Sequence, residues 1–249
     1  MSKKLAVLGS PIVHSKSPQI QLAALTAIGI EATFERIEVA DLGSFLADHE
    51  DFDALSLTMP LKEQARLVAD WEHPLVSKTN SANYLLRKDG GWQAFNTDVF
   101  GIQKAVEGIA AKSVGVIGTG ATARSALAAM AGTDLHIWGR NLELAEELAR
   151  DFGAKVSQLE AALSFDLVIS TLPGDALATL CGGSHPGTLL DVVYSRPSPR
   201  GFAGHISGLS MLVWQAIGQL RLLINDADQP LPNEEQLASV MFSAAELAE

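Results

Sequence analysis

The chain has 249 residues, 47% of them hydrophobic and 19% charged, an ordinary globular composition with enough length for one large domain or two small ones. Its formal net charge of −11 argues against a nucleic-acid or anionic-membrane surface, and leaves room for a locally basic pocket around a small anionic ligand. A single cysteine, Cys181, excludes an intrachain disulfide, no apolar run reaches the roughly 18 residues of a spanning helix, and the N-terminus passes from charge straight into a short strand, so a soluble cytoplasmic protein is expected.

The first half alternates strand and helix. Lys4 to Leu8 reads as a strand, and after the loop Gly9 to Lys16 the pair Ser17-Pro18 reads as an N-cap followed by proline at the first helical position. That helix runs to Gly29. Thr33 to Val39 alternates as a strand, Leu42 to His49 forms a short helix, Asp53 to Thr58 is a buried strand and Lys62 to Trp71 is helical. Leu85 to Arg87 and Trp92 to Phe95 flank Lys88-Asp89-Gly90-Gly91 as a hairpin. A helix from after Asp98 to about Ala111 leads into the second half.

There the apolar strand Ser113 to Ile117 ends in a glycine-spaced turn and passes into an alanine-rich helix, Ala121 to Ala131, followed by a second strand, Asp134 to Trp138. Gly118, Gly120 and Ala123 fit the dinucleotide pattern G-x-G-x-x-G/A. The first glycine makes the tight turn, the second lets the backbone approach a pyrophosphate, and the third small residue lets helix pack on strand. Backbone N–H groups at the new helix N-terminus, aided by the helix dipole, then face the anion. The second strand ends in Trp138-Gly139-Arg140-Asn141, with no carboxylate for a ribose 2′-OH. Arg140 offers a planar fork suited to a 2′-phosphate, so NADP is expected rather than NAD.

Leu142 to Phe152 continues as helix, Asp166 to Thr171 and Thr188 to Val193 as strands, Ser195 to Gly201 as a loop, and Leu209 to Ile224 and Asn233 to Leu247 as the closing helices. This is an α/β protein with parallel sheet and crossover connections. Residues 1–98 and 99–207 read as two α/β units, with 208–249 returning to the first because each small sheet needs both faces covered. Chemistry is expected in the cleft between them.

Several polar residues lie at strand ends. Ser15 and Ser17 follow the first strand, Thr58 and Lys62 frame Pro60, and Asn83 and Asp98 border the hairpin. A nicotinamide enzyme acting on a carbonyl or alcohol needs one group that gives or takes a proton and neighbours that fix it. Lys62 can serve as that group, with Asp98 orienting it and the substrate hydroxyl. Spacing alone favours plainer roles, Lys62 as a solvated first-turn lysine and Asp98 as the N-cap of a helix beginning at Val99. The six histidines show no ligand spacing, so no metal is expected. Cys181, beside Gly182-Gly183, reads as a small buried residue or loop thiol. Oligomeric state has no signature in the sequence.

Five segments, GSPIVHSKSP (Gly9 to Pro18), SLTMPLKE (Ser56 to Glu63), FNTDVFG (Phe95 to Gly101), GTGATAR (Gly118 to Arg124) and GLSMLVWQA (Gly208 to Ala216), together resemble the shikimate dehydrogenases in order and along nearly the whole chain. The resemblance implies an N-terminal α/β substrate domain, an NADP-binding Rossmann domain, and C-terminal helices returning to the first. It also implies reversible reduction of 3-dehydroshikimate to shikimate in aromatic amino-acid (chorismate) biosynthesis. Position by position, it implies Lys62 as the catalytic lysine and Asp98 as its aspartate partner, Ser15, Ser17 and Tyr194 at the substrate carboxylate, and Thr58, Asn83 and Gln215 at the ring hydroxyls. On the cofactor side it implies Gly118, Thr119, Gly120, Ala121 and Thr122 at the pyrophosphate, Arg140 at the 2′-phosphate, and Val192, Gly208 and Met211 toward the nicotinamide.

The chain departs from the family pattern in places. Ser56 stands where an asparagine is usual, Ser81-Ala82-Asn83-Tyr84 where Ala-Val-Asn-Thr is usual, and Gln21 where a histidine is usual. The second arginine of the usual NADP clamp is missing from Gly139-Arg140-Asn141-Leu142-Glu143-Leu144, and Glu143 adds a negative charge. Two alternatives stay open: an NAD-linked quinate/shikimate dehydrogenase, which would want a carboxylate near Arg140, and a non-catalytic NADP-binding sensor, which would want Lys62 or Asp98 lost.

Overall fold

A computed structural model describes residues 2–225 and 228–247. In chain order the elements are β1 (Lys3–Gly9), α1 (Ser17–Ala27), β2 (Ala32–Glu38), α2 (Leu42–Asp48), β3 (Ala54–Leu57), α3 (Ala65–Val68), β4 (Trp71–Glu72), α4 (Pro74–Thr79), β5 (Tyr84–Lys88), β6 (Gly91–Phe95), α5 (Asp98–Ala105) and β7 (Ser113–Ile117). There follow α6 (Ala121–Ala129), β8 (Asp134–Trp138), α7 (Leu142–Phe152), β9 (Lys155–Val156), α8 (Leu159–Ala162), β10 (Leu167–Ser170), α9 (Ala176–Leu180), β11 (His185–Asp191), β12 (Phe202–Ser207), α10 (Gly208–Asn225) and α11 (Glu234–Glu246).

The chain divides into one unit of Met1–Thr97 with Leu212–Glu249 and a second of Asp98–Met211. Asp98 and Gly208 to Met211, expected with the first unit, group with the second. Asp98 opens α5, which packs on α6, and Gly208 lies against the backbone of Asp191 and Val192.

The first unit has a six-stranded sheet in the order β2-β1-β3-β5-β6-β4. It is mixed rather than parallel: β1 pairs in parallel with β2 and β3 and β4 with β6, β3/β5 is antiparallel, and β5/β6 is antiparallel because a tight hairpin joins the two strands. Leu8, Leu42, Leu55, Leu61, Val76 and Leu85 form its core on one face. α1 packs against α11, and Lys16 Nζ donates to Ala245 O at 2.8 Å.

The second unit has a six-stranded sheet in the order β12-β11-β10-β7-β8-β9, parallel in every pair. Read from β9, the strands run third, second, first, fourth, fifth, sixth, the dinucleotide-fold order. The chain reverses direction across the sheet between β7 and β10, the place where such sheets bind ligands at their C-terminal edge.

Three expectations of element bounds need correction, and one strand lies in a segment with no expectation. Ser17 is the first helical residue and Lys16 holds the N-cap position without a side-chain bond. The helix expected over Lys62 to Trp71 shrinks to α3, because the Lys62 carbonyl accepts from Ala82 N at 2.8 Å and so does not serve a helical turn, and Trp71 pairs with β6 as β4. α5 stops at Ala105 instead of Ala111, where Glu107 N turns back to Lys104 O and Gly108 enters the left-handed region at φ +87°. β12, unread beyond Gly201, is an edge strand whose only large inward residues are Phe202 and Ile206.

Candidate functional site

In the second unit the strand register gathers the residues expected to touch a dinucleotide. Ile117 pairs with Trp138 on one side and Ser170 on the other, Ser170 pairs with Asp191, and Asp191 pairs with Ser207. The residues one step beyond that row, Gly139, Gly118, Thr171, Val192 and Gly208, therefore line the C-terminal edge of the sheet in order. Parallel strands all end on the same side, so the alignment follows from register. Gly118 N donates to Trp138 O at 2.8 Å, Thr171 N to Ile117 O at 2.9 Å and Val192 N to Ser170 O at 3.0 Å, tying the row together.

Two glycines in this row have different reasons. Gly118 has φ +119°, and a Cβ there would collide with Thr171 Oγ1. Gly120 holds the N-cap position of α6 with ordinary extended backbone, no side-chain cap, and no atom within 4 Å of where a Cβ would stand. The open space at Gly120 lies at a helix N-terminus, where the first-turn N–H groups and the helix dipole favour an anion. Thr119, Ala121 and Thr122 flank that space in the chain, so these are the residues that could hold an anion there. Thr119 also lies against Gly139, so the glycine turn and the tip of β8 touch, and exposed Arg140 stands beside them. Asn141 caps α7 by accepting from Leu144 N at 3.2 Å, and Glu143 occupies the first turn of α7, where the dipole favours an acid. No carboxylate stands at the tip of β8.

Val192 and Gly208 meet through backbone: a Cβ on Gly208 would stand 2.6 Å from Val192 O. Asp191, fully buried, holds this corner, with Arg196 Nη2 3.2 Å from its Oδ2 and Val193 N donating to its Oδ1 at 3.3 Å. Burial pushes its carboxyl above the ordinary range, against the opposing pull of the Val193 N–H and Arg196. Tyr194 follows as a half-buried residue, Met211 is buried one turn into α10, and Asp98 is buried at the head of α5, where a carboxylate suits the helix dipole.

In the first unit a second row forms. β1, β3 and β6 end, and antiparallel β5 begins, at one edge: Thr58 N donates to Leu8 O at 2.9 Å, Leu57 N to Asn83 O at 2.8 Å and Asn83 N to Phe95 O at 3.0 Å. Thr58 and Asn83 thereby share an edge. The turn after Thr58 carries Lys62, whose backbone bond to Ala82 sets it beside the segment leading to Asn83. Ser15 and Ser17 stand at the N-terminus of α1, where an anion is favoured; Ser17 N lies 3.4 Å from Ser15 Oγ, and Arg36 Nε donates to Ser15 O at 2.6 Å.

Gln215 reaches the same edge from α10. Its Oε1 accepts from Asn83 Nδ2 at 3.0 Å, and Asn83 Oδ1 accepts from Thr97 N at 2.8 Å. Gln21, Ser56 and Gln219 extend this pair into a buried polar network that sequence reasoning missed: Gln219 Oε1 accepts from Gln21 Nε2 and from Ser56 Oγ, each at 2.7 Å. A signal for it was present, because Gln215 and Gln219 are four apart on one helix and so share a face. Among the described residues no group of three or more His, Cys, Asp or Glu side chains is arranged to hold a metal ion, and no helix is long and apolar enough to cross a membrane.

Comparison with known proteins matches both halves. Residues 7–85 fit the model of the shikimate dehydrogenase substrate binding domain, and residues 113–193 fit that of the coenzyme F420-dependent NADP oxidoreductases. A shikimate dehydrogenase (NADP(+)) of Thermus thermophilus is 31% identical over 93% of this chain and 96% of its own. Among solved structures, shikimate dehydrogenase of Mycobacterium tuberculosis is 32% identical with a TM-score of 0.85, covering 98% of this chain and 99% of that one. A shikimate 5-dehydrogenase from Thermus thermophilus, solved in complex with NADP(H) and shikimate, is 27% identical with a TM-score of 0.83, covering 97% and 99%.

Proposed function

Because the chain belongs to the shikimate dehydrogenase family, we propose that it catalyses the NADP-linked, reversible reduction of 3-dehydroshikimate to shikimate in the cytoplasm, as a step of aromatic amino-acid biosynthesis. The observation that carries this reading is the first unit's edge, where Thr58, the Lys62 turn, Asn83 and Gln215 come together through backbone and amide hydrogen bonds. A polyhydroxylated ring acid needs such a set of donors and acceptors beside one titratable group.

NADP, when bound, supplies or accepts the hydride. The chain's own residues do the rest. The N–H groups of the α6 first turn bind the pyrophosphate in the room left by Gly120, with Gly118, Thr119, Ala121 and Thr122 shaping the turn. Arg140 pairs with the 2′-phosphate, and the missing carboxylate at the β8 tip removes the group that would select NAD. Val192, Gly208 and Met211 serve the nicotinamide end. Ser15, Ser17 and Tyr194 donate hydroxyl hydrogen bonds to the substrate carboxylate, and Thr58, Asn83 and Gln215 hold ring hydroxyls. Lys62 gives a proton to the substrate carbonyl oxygen during reduction and takes it back during oxidation, and Asp98 fixes the orientation of the substrate hydroxyl.

The test is shikimate oxidation followed by the absorbance of reduced cofactor, with NADP and NAD in parallel and quinate as the second substrate. Turnover with shikimate and NADP well above the other three pairs is expected. A preference for NAD or quinate would move the chain to the quinate-type reading, and NADP binding without turnover of either acid would leave a sensor.

A further inference from the structure

Gln21, Ser56 and Gln219 lie outside every role assigned above, yet all three are buried and all are spent on one network. Hydrogen-bond polarity converges on Gln215 Oε1 from two sides, from Asn83 and from Gln219. Thr97 N is a backbone donor, so the Asn83 atom it meets at 2.8 Å is the oxygen, and the Asn83 amide nitrogen must be the atom facing Gln215 at 3.0 Å. The Gln215 atom there is therefore Oε1, and its nitrogen is the atom that meets the Leu212 carbonyl at 2.8 Å. Two backbone groups thus fix both amides independently.

Gln219 completes the set. Its Nε2 donates to Gln215 Oε1 at 2.8 Å and reaches the Asn83 carbonyl at 3.4 Å, so its Oε1 faces the donors on Gln21 and Ser56, both at 2.7 Å. Every lone pair and N–H of the Gln219 amide has a partner inside the protein, and only 1% of the residue is exposed. Gln215 Oε1, with two donors on it, has no lone pair left for a ligand, while one N–H of Gln215 remains to be given. Turning the Gln215 amide over would set its nitrogen against two donors at once, with no acceptor for either.

We infer that Gln219, locked by Gln21 and Ser56, is a positioning residue that holds Gln215 as a hydrogen-bond donor toward the substrate. The inference rests on the proposed reading of Gln215 as a ring-hydroxyl contact. It gives a purpose to Ser56 and Gln21, two of the departures from the family pattern noted above: they supply the donors that fix the distal end of Gln219. A donor held in place selects a ligand oxygen acting as acceptor, and the orientation costs nothing at the moment of binding.

The experiment measures KM for shikimate and for NADP, with thermal melts, for wild type, Gln219→Met and Gln219→Ala. Gln219→Met keeps volume and removes the donor to Gln215 Oε1, and Gln219→Ala serves as the second variant should the thioether disturb packing. Loss of one of two orienting hydrogen bonds should raise KM for shikimate by about fivefold, with KM for NADP within twofold of wild type. The Gln21→Leu variant, which removes a donor from Gln219 and touches no proposed ligand contact, should raise KM for shikimate in the same direction by less. Melting temperatures that fall while KM for shikimate stays at the wild-type value in all three variants would overturn the inference and leave the network a purely structural one. Failure of wild type itself to turn over shikimate would overturn the functional reading, and the inference with it, so the two failures are distinguishable.

Discussion

The two glycines of the β7–α6 turn should fail in opposite ways. Gly118→Ala must place a Cβ at φ +119° and against Thr171 Oγ1. The left-handed backbone costs roughly 1–2 kcal/mol, and crowding a packed site costs about 1–3 kcal/mol. A loss near 3 kcal/mol corresponds to roughly 6–12 °C in melting temperature for a chain of this length. Gly120→Ala meets no atom within 4 Å and keeps an allowed extended backbone, so it costs less than about 1 kcal/mol as a poorer N-cap. Its methyl group instead enters the space assigned to the pyrophosphate, and NADP affinity should fall at least about tenfold, or 1.4 kcal/mol. Thermal melts and NADPH fluorescence titrations of both variants separate the two effects. Adding Thr171→Ala to Gly118→Ala should restore part of the lost stability by removing the crowding atom. Equal melting losses for the two glycine variants, or unchanged NADPH affinity in Gly120→Ala, would refute the reasoning.

Arg140→Ala should raise KM for NADP by about tenfold, the lower end of what a charge-assisted hydrogen bond is worth because the arginine is exposed, and leave KM for NAD nearly unchanged; steady-state kinetics with both cofactors decides it. Ser17→Ala should raise KM for shikimate severalfold without lowering the melting temperature, since Lys16 and not Ser17 holds the N-cap position of α1. Asp166 accepts from Ser113 N at 3.0 Å and Lys112 N at 2.9 Å, and these N–H groups hold its carboxyl below the ordinary 3.8. A carboxyl depressed on folding contributes stability above its unfolded value and loses it as pH falls through the folded one. Asp166→Asn should therefore lower the urea midpoint at neutral pH and flatten its fall below about pH 4, as followed by circular dichroism.

Much of the second unit is legible from sequence because its signals are local. The apolar run ending at Ile117, the glycine spacing and the alanine-rich helix each restrict the backbone within a few residues, and together they define β7, α6 and β8. What lies across the sheet is not local. That Gly139, Gly118, Thr171, Val192 and Gly208 form one row depends on strand register, which no single strand carries in its own residues. Thr171 accordingly carries no local signal of a role, although its hydroxyl is the group against which Gly118 is fitted. β12 escaped for a related reason: an edge strand needs few large apolar residues, and Phe202-Ala203-Gly204-His205-Ile206-Ser207 offers a weak alternation beside a proline-rich loop.

In the first unit, periodicity puts Lys62 on a helix, yet tertiary bonding of its carbonyl to Ala82 removes it from one. Tertiary partners override propensity where a segment is short. The antiparallel hairpin was legible from Asp89-Gly90, but its consequence for the sheet was not, since mixed pairing depends on where β3 and β5 meet. Gln21 and Ser56 stood out only as departures. Their partner Gln219 is 198 and 163 residues away, beyond the reach of any local pattern.

The most direct test of the central claim is shikimate-dependent reduction of NADP by wild type beside Lys62→Ala, with NADPH binding measured on the same preparations. Loss of the proton-transfer group should lower kcat by about 10²- to 10⁴-fold while the Kd for NADPH stays within twofold of wild type. Retention of turnover in Lys62→Ala, or parallel loss of turnover and NADPH affinity, would contradict the role assigned to Lys62 and with it the proposed chemistry.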